Sequence, residues 1–208
     1  LLETQGLSSF SNFLNKLESE TSKASLSIIK EPNIKKAKGL VNKLQETSED
    51  HPKLTKLKEI IQKELENPNA KIIIFANFRE TVKNIVKELS KVPNCSPVEL
   101  IGQKEGVTQK NQLETIKEFE SGKYNVLVGT SITEEGISLG QLNTAIFFDA
   151  VPSGIRRIQR TGRVGRLKAG KIIHLITKNT RDQAYFWKSY RDVKKMQGLI
   201  KTMQTKLK

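Results

Sequence analysis

The sequence has a single cysteine, two histidines and no long hydrophobic run, and each shortage excludes a class of protein. Cys95 alone cannot close an internal disulfide, which argues against a small secreted domain and fits a reducing cytoplasm. His51 and His174 lie far apart with no cysteine cluster beside them, so we predict no metal site. No apolar stretch approaches the roughly 20 residues that a transmembrane helix needs, which predicts a protein that does not span a membrane.

No charged segment followed by an apolar one, the pattern of a signal peptide, comes after Leu1. We therefore expect no signal peptide and interpret the chain as part of a longer protein. Its 208 residues suffice for one α/β domain with a smaller appendage, since domains usually run about 100 to 200 residues.

Acidic residues are scarce in one part of the chain. Residues 153–208 have 16 basic and 2 acidic side chains, whereas the two signs balance over residues 1–152. The whole formal net charge of +14 therefore lies in the last quarter. Such a segment suits a polyanionic partner, because Lys and Arg side chains that neutralise phosphates release counterions. A solvated basic helix face is the alternative interpretation.

Hydrophobic periodicity predicts a helical segment followed by an α/β domain. Apolar side chains recur at helical spacing through residues 1–50, and a further helix is predicted over 54–66. From residue 71, short apolar runs alternate with amphipathic helices, which is typical of βαβ units and a parallel sheet. A long C-terminal helix follows. The predicted strands are 72–75, 98–101, 126–128, 145–148 and 172–176.

Two of the predicted strands end in polar residues that suit a phosphate backbone. Ligands of an open parallel sheet bind beyond the carboxyl ends of the strands, which is where these side chains fall. Their hydroxyls, amides and guanidinium could bind nucleic-acid phosphates without reading sequence. Taken singly, each is better explained as a polar turn between strand and helix. The residues are Asn77, Arg79, Thr81, Thr130 and Ser131.

The sharpest motif is Gln159-Arg160-Thr161-Gly162-Arg163-Val164-Gly165-Arg166. Its two glycines let the backbone approach a ligand closely, and arginines three residues apart present planar donor forks to phosphate oxygens. An arginine finger stabilises the charge that develops on a transferred γ-phosphate. An ordinary basic turn would explain a lone motif of this kind equally well.

A phosphate-binding loop is missing from the sequence. Residues 165–171 have the spacing of one, but Ile172 replaces the Ser or Thr that would hold magnesium. The segment also precedes a predicted strand, whereas a working loop follows a strand and opens a helix. No other stretch supplies such a loop or an acidic magnesium motif, so we expect the chain not to hydrolyse ATP unaided.

In their order and spacing, the three motifs together resemble motifs IV, V and VI of superfamily 2 helicases. Within them, the likeness is to the family of the archaeal helicase-associated endonuclease for fork-structured DNA (Hef), whose relatives include the Fanconi-anaemia M translocase. The likeness covers essentially the whole chain. It rests on residues 75–81 (FANFRET), 128–131 (VGTS), Glu134-Glu135-Gly136 and 159–166, with 50–53 (DHPK) and 180–185 (TRDQAY) in support.

The resemblance implies a fold and partners. Residues 51–208 would form a RecA-like C-terminal motor domain, and residues 1–50 would be the end of a helical insertion between two motor domains. ATP and Mg²⁺ would be held mainly by the first motor domain, upstream in the same polypeptide and absent from this chain. The nucleic-acid partner would be DNA, branched or forked.

The resemblance also implies roles for individual residues. Gln159, Arg163 and Arg166 would face the ATP on the partner domain as catalytic and nucleotide-binding residues, with the two arginines as fingers. Gly136 would join them, but Gly136-Ile137-Ser138 departs from the family's Gly-Leu-Asp, which weakens that assignment. The residues that would follow the DNA backbone are Asn77, Arg79, Thr81, Gly102, Gln103, Thr130 and Ser131.

The function predicted is that of the second motor half of an ATP-dependent DNA helicase or translocase. A stand-alone DNA-binding or regulatory module without ATPase activity is one alternative. Half of an RNA helicase is another, because contacts to the backbone do not distinguish the two sugars by spacing alone.

Three adjacent aromatic residues admit two interpretations. Tyr185, Phe186 and Trp187 could form a platform on which bases stack, or they could pack a helix onto the sheet. We favour packing.

Overall fold

A computed structural model describes residues 2–46, 51–102, 109–130, 142–151, 153–154 and 170–206 of the chain. The elements with described bounds are seven helices and five strands. In chain order they are α1 (Leu2–Ser19), α2 (Lys23–Lys30), α3 (Pro32–Glu46), α4 (Pro52–Glu64), β1 (Ile72–Phe75), α5 (Arg79–Leu89), β2 (Pro97–Leu100), α6 (Gln109–Glu120), β3 (Val126–Gly129), β4 (Thr144–Phe147), β5 (Lys171–His174) and α7 (Arg181–Lys206).

The five strands form one parallel sheet in the order β2-β3-β1-β4-β5. Ile72 at the start of β1 lies opposite Val126 of β3 on one side and Thr144 of β4 on the other. All four residues of β1, β3 and β4 are buried, as expected for strands covered on both faces. The predicted α/β fold with a parallel sheet is therefore confirmed.

Helices cover both faces of the sheet because alternate side chains of each strand point to opposite sides. Ile72 and Ile74 of β1 join a core with α4 and α5, while Ile73 and Phe75 join a second core with α6. Leu113 of α6 precedes the core residue Ile116 by three positions, but its side chain is 53% exposed. Gln112 is buried instead, and its amide donates to the carbonyl of Ile101 at 2.8 Å.

The C-terminal helix packs on the β5 side of the sheet through one aromatic ring. Phe186 meets His174 edge to face at 5.4 Å between ring centroids, and His174 stacks on Phe147 at 4.8 Å. The packing interpretation is confirmed for Phe186. Trp187, one position further along α7, is 50% exposed.

The N-terminal helices dock on the sheet through α1, which changes direction at Gly6. The backbone of Gly6 has a φ of +83°, and a Cβ at this position would lie 2.9 Å from the Cβ of His51. His51 caps α4, since its Nδ1 accepts from the backbone N–H of Lys53 at 3.2 Å. Its Nε2 then donates to the carbonyl of Glu3 at 3.0 Å, which joins the first turn of α1 to the start of α4.

Candidate nucleic-acid interface

The carboxyl ends of β2, β3 and β1 are adjacent, and each is followed by a residue predicted to bind a phosphate backbone. Gly102 follows β2, Thr130 follows β3, and Asn77 with Arg79 follows β1. Because the strands are parallel, these residues lie at the same edge of the sheet. The structure therefore brings together residues from three segments that are widely separated in sequence.

Arg79 connects the ends of β1 and β2, the two outer strands of these three. Its Nη2 donates to the carbonyl of Gly102 at 2.9 Å, so the guanidinium reaches from the end of β1 across the end of β3 to the end of β2. Arg79 is half-buried, and one hydrogen bond leaves other donors of its planar fork for a ligand. The bond to Gly102 orients the guanidinium along this edge.

Thr130 lies between Arg79 and Gly102 in the strand order. It is 7% exposed, and its backbone N–H points to the carbonyl of Leu100 at 3.4 Å. The neighbouring strand is tied to it as well, because the N–H of Ala76 donates to the carbonyl of Gly129 at 2.9 Å. These hydrogen bonds fix the backbone at the ends of β1, β2 and β3, along which the guanidinium of Arg79 lies.

Asn77 is exposed, and its backbone is held by a carboxylate that the sequence motifs did not identify. The N–H of Asn77 donates to Oδ2 of Asp149 at 2.6 Å, and its side-chain amide lies 3.4 Å from the carbonyl of Ala150. Asp149 follows β4, so the β1 turn is positioned by the neighbouring strand end. An acidic residue directly after a buried strand is the sequence feature that could have suggested this role.

A buried ionic cluster lies behind this turn. Lys53 of α4 donates to the carbonyl of Phe148 at 2.8 Å, forms an ion pair with Asp182 of α7, and lies 4.0 Å from Oδ1 of Asp149. All three charged side chains are almost completely buried. Burial raises the pKa of Asp149, and hydrogen bonds from Asn77 and Gln5 and the charge of Lys53 oppose this rise only in part.

Thr81 faces the N-terminal helix rather than the solvent. It is 3% exposed, and its hydroxyl donates to Oε1 of Gln5 at 2.6 Å. The amide of Gln5 in turn donates to Oδ1 of Asp149 at 2.6 Å. The hydroxyl of Thr81 is therefore used in docking α1, and we leave Thr81 out of the proposed interface.

The other predicted site residues lie outside the described residues. This applies to the nucleotide-facing and finger positions as well as to two of the expected backbone contacts. They are Gln103, Ser131, Gly136, Gln159, Arg163 and Arg166.

The chemistry of the described edge suits anion binding more than proton or group transfer. It presents a guanidinium and an exposed amide, while the buried acid Asp149 lies behind the backbone of Asn77. Within the described ranges, no group of three or more His, Cys, Asp or Glu side chains is placed to hold a metal ion. Burial raises the pKa of Cys95 to about 11, so this thiol is neutral at physiological pH.

None of the described helices is both long enough and apolar enough to cross a lipid bilayer.

Known structures share this arrangement of strands and helices. Residues 52–168 match the model of the family described as the helicase conserved C-terminal domain. The crystal structure of the Pyrococcus furiosus Hef helicase domain is 44% identical in sequence, with a TM-score of 0.70, and the match covers 90% of this chain and 40% of that one. A DEAD box protein from Methanococcus jannaschii, at 22% identity and a TM-score of 0.56, covers 66% of this chain and 36% of its own and shares the fold.

Curated proteins with similar sequences are considerably longer. A Methanocaldococcus jannaschii protein, named as a candidate ATP-dependent RNA helicase, is 40% identical over 98% of this chain and 26% of its own length. The ATP-dependent DNA helicase mph1 of Neurospora crassa is 39% identical over 65% of this chain and 12% of its own length. The chain thus spans about a quarter or less of these relatives.

Proposed function

Since the chain belongs to the helicase conserved C-terminal domain family, among the superfamily 2 helicases related to Hef and Mph1, we propose that it is the second motor half of an ATP-dependent DNA helicase or translocase. The observation that supports this proposal most is the meeting of Arg79, Thr130 and Gly102 at one edge of the sheet. A guanidinium and a backbone held there by neighbouring strands match the contacts that fix a nucleic-acid backbone without reading bases.

We propose DNA, branched or forked, as the substrate. Two of the similar proteins support this choice: mph1 is named a DNA helicase, and the Hef helicase domain is 44% identical to this chain. The name of the Methanocaldococcus relative favours RNA, so half of an RNA helicase is the second candidate. ATPase stimulation by DNA and RNA of matched length and sequence distinguishes the two candidates.

The proposal gives the chain half of an ATP site. Gln159, Arg163 and Arg166 would face ATP and Mg²⁺ held by an upstream RecA-like domain of the same polypeptide, with Gly136 as an additional neighbour. Gln103 and Ser131 would extend the backbone contacts beyond Gly102 and Thr130. Residues 1–50 would be the end of the insertion between the motor domains, and 51–208 the second motor domain itself.

The deciding experiment uses the full-length protein with both motor domains. We expect Arg163→Ala and Arg166→Ala each to lower DNA-stimulated ATP turnover by about a thousandfold or more, while DNA affinity in the absence of ATP stays near that of the wild type. Lys117→Ala on the exposed face of α6 removes one positive charge elsewhere and should leave turnover unchanged. An ATP turnover that is unchanged by both arginine substitutions would contradict the assignment of Arg163 and Arg166 as arginine fingers.

A full-length protein that binds DNA but shows no DNA-stimulated ATPase would instead support the alternative of a binding or regulatory module.

A further inference from the structure

A groove of about 550 Å³ opens beside the turn that holds Asn77 and Arg79. α1 forms one wall and the first turn of α5 forms the other. Its volume falls within the roughly 300 to 1,000 Å³ typical of sites for small ligands. The lining residues that matter here are Asn12, Phe13, Asn15, Lys16, Phe78 and Glu80. We refer to this feature as the aromatic groove.

Two aromatic rings line the aromatic groove and are unusually open to solvent. Phe13 is 41% exposed and Phe78 is 48% exposed. Phe78 also occupies the position before the first residue of α5, where Ser, Thr, Asp or Asn would stabilise the helix by about 1 kcal/mol. The side chain of Phe78 forms no capping hydrogen bond, and its ring is not buried in the core either. A ligand with a flat apolar face would cover both rings.

The polar lining of the groove fits the edge of a base better than a phosphate. The carboxylate of Glu80 repels phosphate, but it can accept from an exocyclic amino group, as acidic side chains do with cytosine N4. The amide of Asn12 donates to Oε2 of Glu80 at 3.3 Å, and the amide of Asn15 and the ammonium of Lys16 supply further donors. Arg79, which lies between Phe78 and Glu80 in sequence, supplies a partner for phosphate outside the groove lining.

We propose that the aromatic groove binds an unpaired nucleobase of the strand whose backbone lies on Asn77 and Arg79. This inference rests on the proposed function. Phe78 lies between those two residues in sequence, so a nucleotide held by its phosphate at Arg79 has its base next to the groove. A base within a duplex is stacked on its neighbours and paired at its edge, so only an unpaired base can enter. Phe13 belongs to α1, and the N-terminal helices therefore take part in holding the strand.

An abasic scan of the full-length protein tests this site. The probes are short single-stranded deoxycytidine oligonucleotides with one abasic nucleotide placed at each position in turn. We expect one position at which loss of the base weakens binding by roughly 5- to 150-fold, the range for stacking of one base on an aromatic side chain. Phe78→Ala should weaken binding of the intact oligonucleotide by a similar factor and remove the dependence on position. Phe78→Tyr should restore both.

Two further variants separate this inference from the proposed function. Arg79→Ala should weaken binding of intact and abasic strands by the same factor, because it removes a phosphate contact. Leu113→Ala, which removes an exposed apolar side chain from α6, should leave the scan as in the wild type. Thermal unfolding of each variant shows that the fold is kept.

The inference is overturned if the wild-type scan is flat, or if both Phe13→Ala and Phe78→Ala keep the position-specific loss. A flat scan with a weakened Arg79→Ala variant removes the base site alone. An Arg79→Ala variant with unchanged DNA affinity removes the proposed backbone interface as well.

Discussion

Lys53 places one ammonium group among two buried carboxylates and a backbone carbonyl. Its partners come from the end of β4 and the first turn of α7. One of them, Asp149, also accepts a hydrogen bond from the backbone N–H of Asn77 and so holds the turn after β1. Buried ion pairs contribute little net stability when intact, because desolvation offsets their attraction. Removing one partner is costly, since a charge then stays buried without compensation. The cluster is therefore a sensitive point at the edge that forms the proposed interface.

We predict that Lys53→Met lowers the free energy of unfolding by about 3 to 5 kcal/mol at neutral pH. The loss should shrink as the pH falls. Burial raises the pKa of Asp149, so this acid binds its proton at a higher pH in the folded chain than in the unfolded one. The free energy of unfolding therefore falls as the pH rises through the folded-state pKa of Asp149. The fall should be larger in the variant, because the charge of Lys53 no longer stabilises the carboxylate. Below about pH 3 the acid is neutral in the unfolded state as well, and its contribution to the effect disappears.

Urea unfolding at neutral and acidic pH measures this prediction. Lys56→Met on the same helix is the matched control, because its ion pair with Glu59 is exposed at both ends and should contribute less than about 1 kcal/mol. Equal losses for the two variants at neutral pH would contradict the role given to Lys53.

At the scale of single residues, the sequence predicted some positions of the candidate site but not their long-range contacts. The positions of Arg79 and Thr130 at the edge of the sheet could be predicted, because the end of a strand is recognisable locally and parallel strands all end at one edge. The contacts of Asp149 and Lys53 could not be predicted, since their partners are 72 and 95 residues away in sequence. Thr81 shows the same limit, because its hydroxyl is bound by Gln5, 76 residues earlier.

At the scale of elements, the strands were easier to predict than the docking of helices. The predicted strand 72–75 coincides with β1, and the others lie within about two residues of their observed bounds. Continuous apolar runs identify buried strands directly. The periodicity of α1 predicted a helix but not its break at Gly6, which depends on the approach of His51 from α4.

Gly6 and Gly39 form a matched pair for a test of this docking. At Gly6 a side chain needs a left-handed backbone and meets the Cβ of His51, so Gly6→Ala should destabilise the chain by at least about 1 kcal/mol. Gly39 lies inside α3 with open space around it, so Gly39→Ala should stabilise it by about 0.5 to 1 kcal/mol.

Hydrogen exchange in α1, together with chemical unfolding, measures both glycine variants. Faster exchange in α1 is expected for Gly6→Ala alone. Similar stability and exchange for the two variants would show that the break in α1 does not hold it to α4.

At the scale of the whole molecule, the charge distribution and the sheet edge both suit a polyanion. Asp182, which pairs with Lys53, lies in the first turn of α7, close to the carboxyl end of β4. The helix presents exposed basic side chains over residues 181–195. They are Arg181, Lys188, Arg191, Lys194 and Lys195. A polyanion bound at the strand ends could continue along α7, in agreement with the partner type that the charge distribution predicts.

This arrangement predicts that the isolated chain binds single-stranded DNA weakly and with a strong dependence on salt. Each phosphate neutralised by a basic side chain should contribute about −0.7 to the slope of log affinity against log salt concentration. Arg79→Ala should therefore make the slope shallower by about 0.7, whereas Leu113→Ala should leave it unchanged. Fluorescence anisotropy titrations over a series of salt concentrations measure the slope. An affinity that stays constant from low to high salt would show that the basic last quarter of the chain does not contact phosphates.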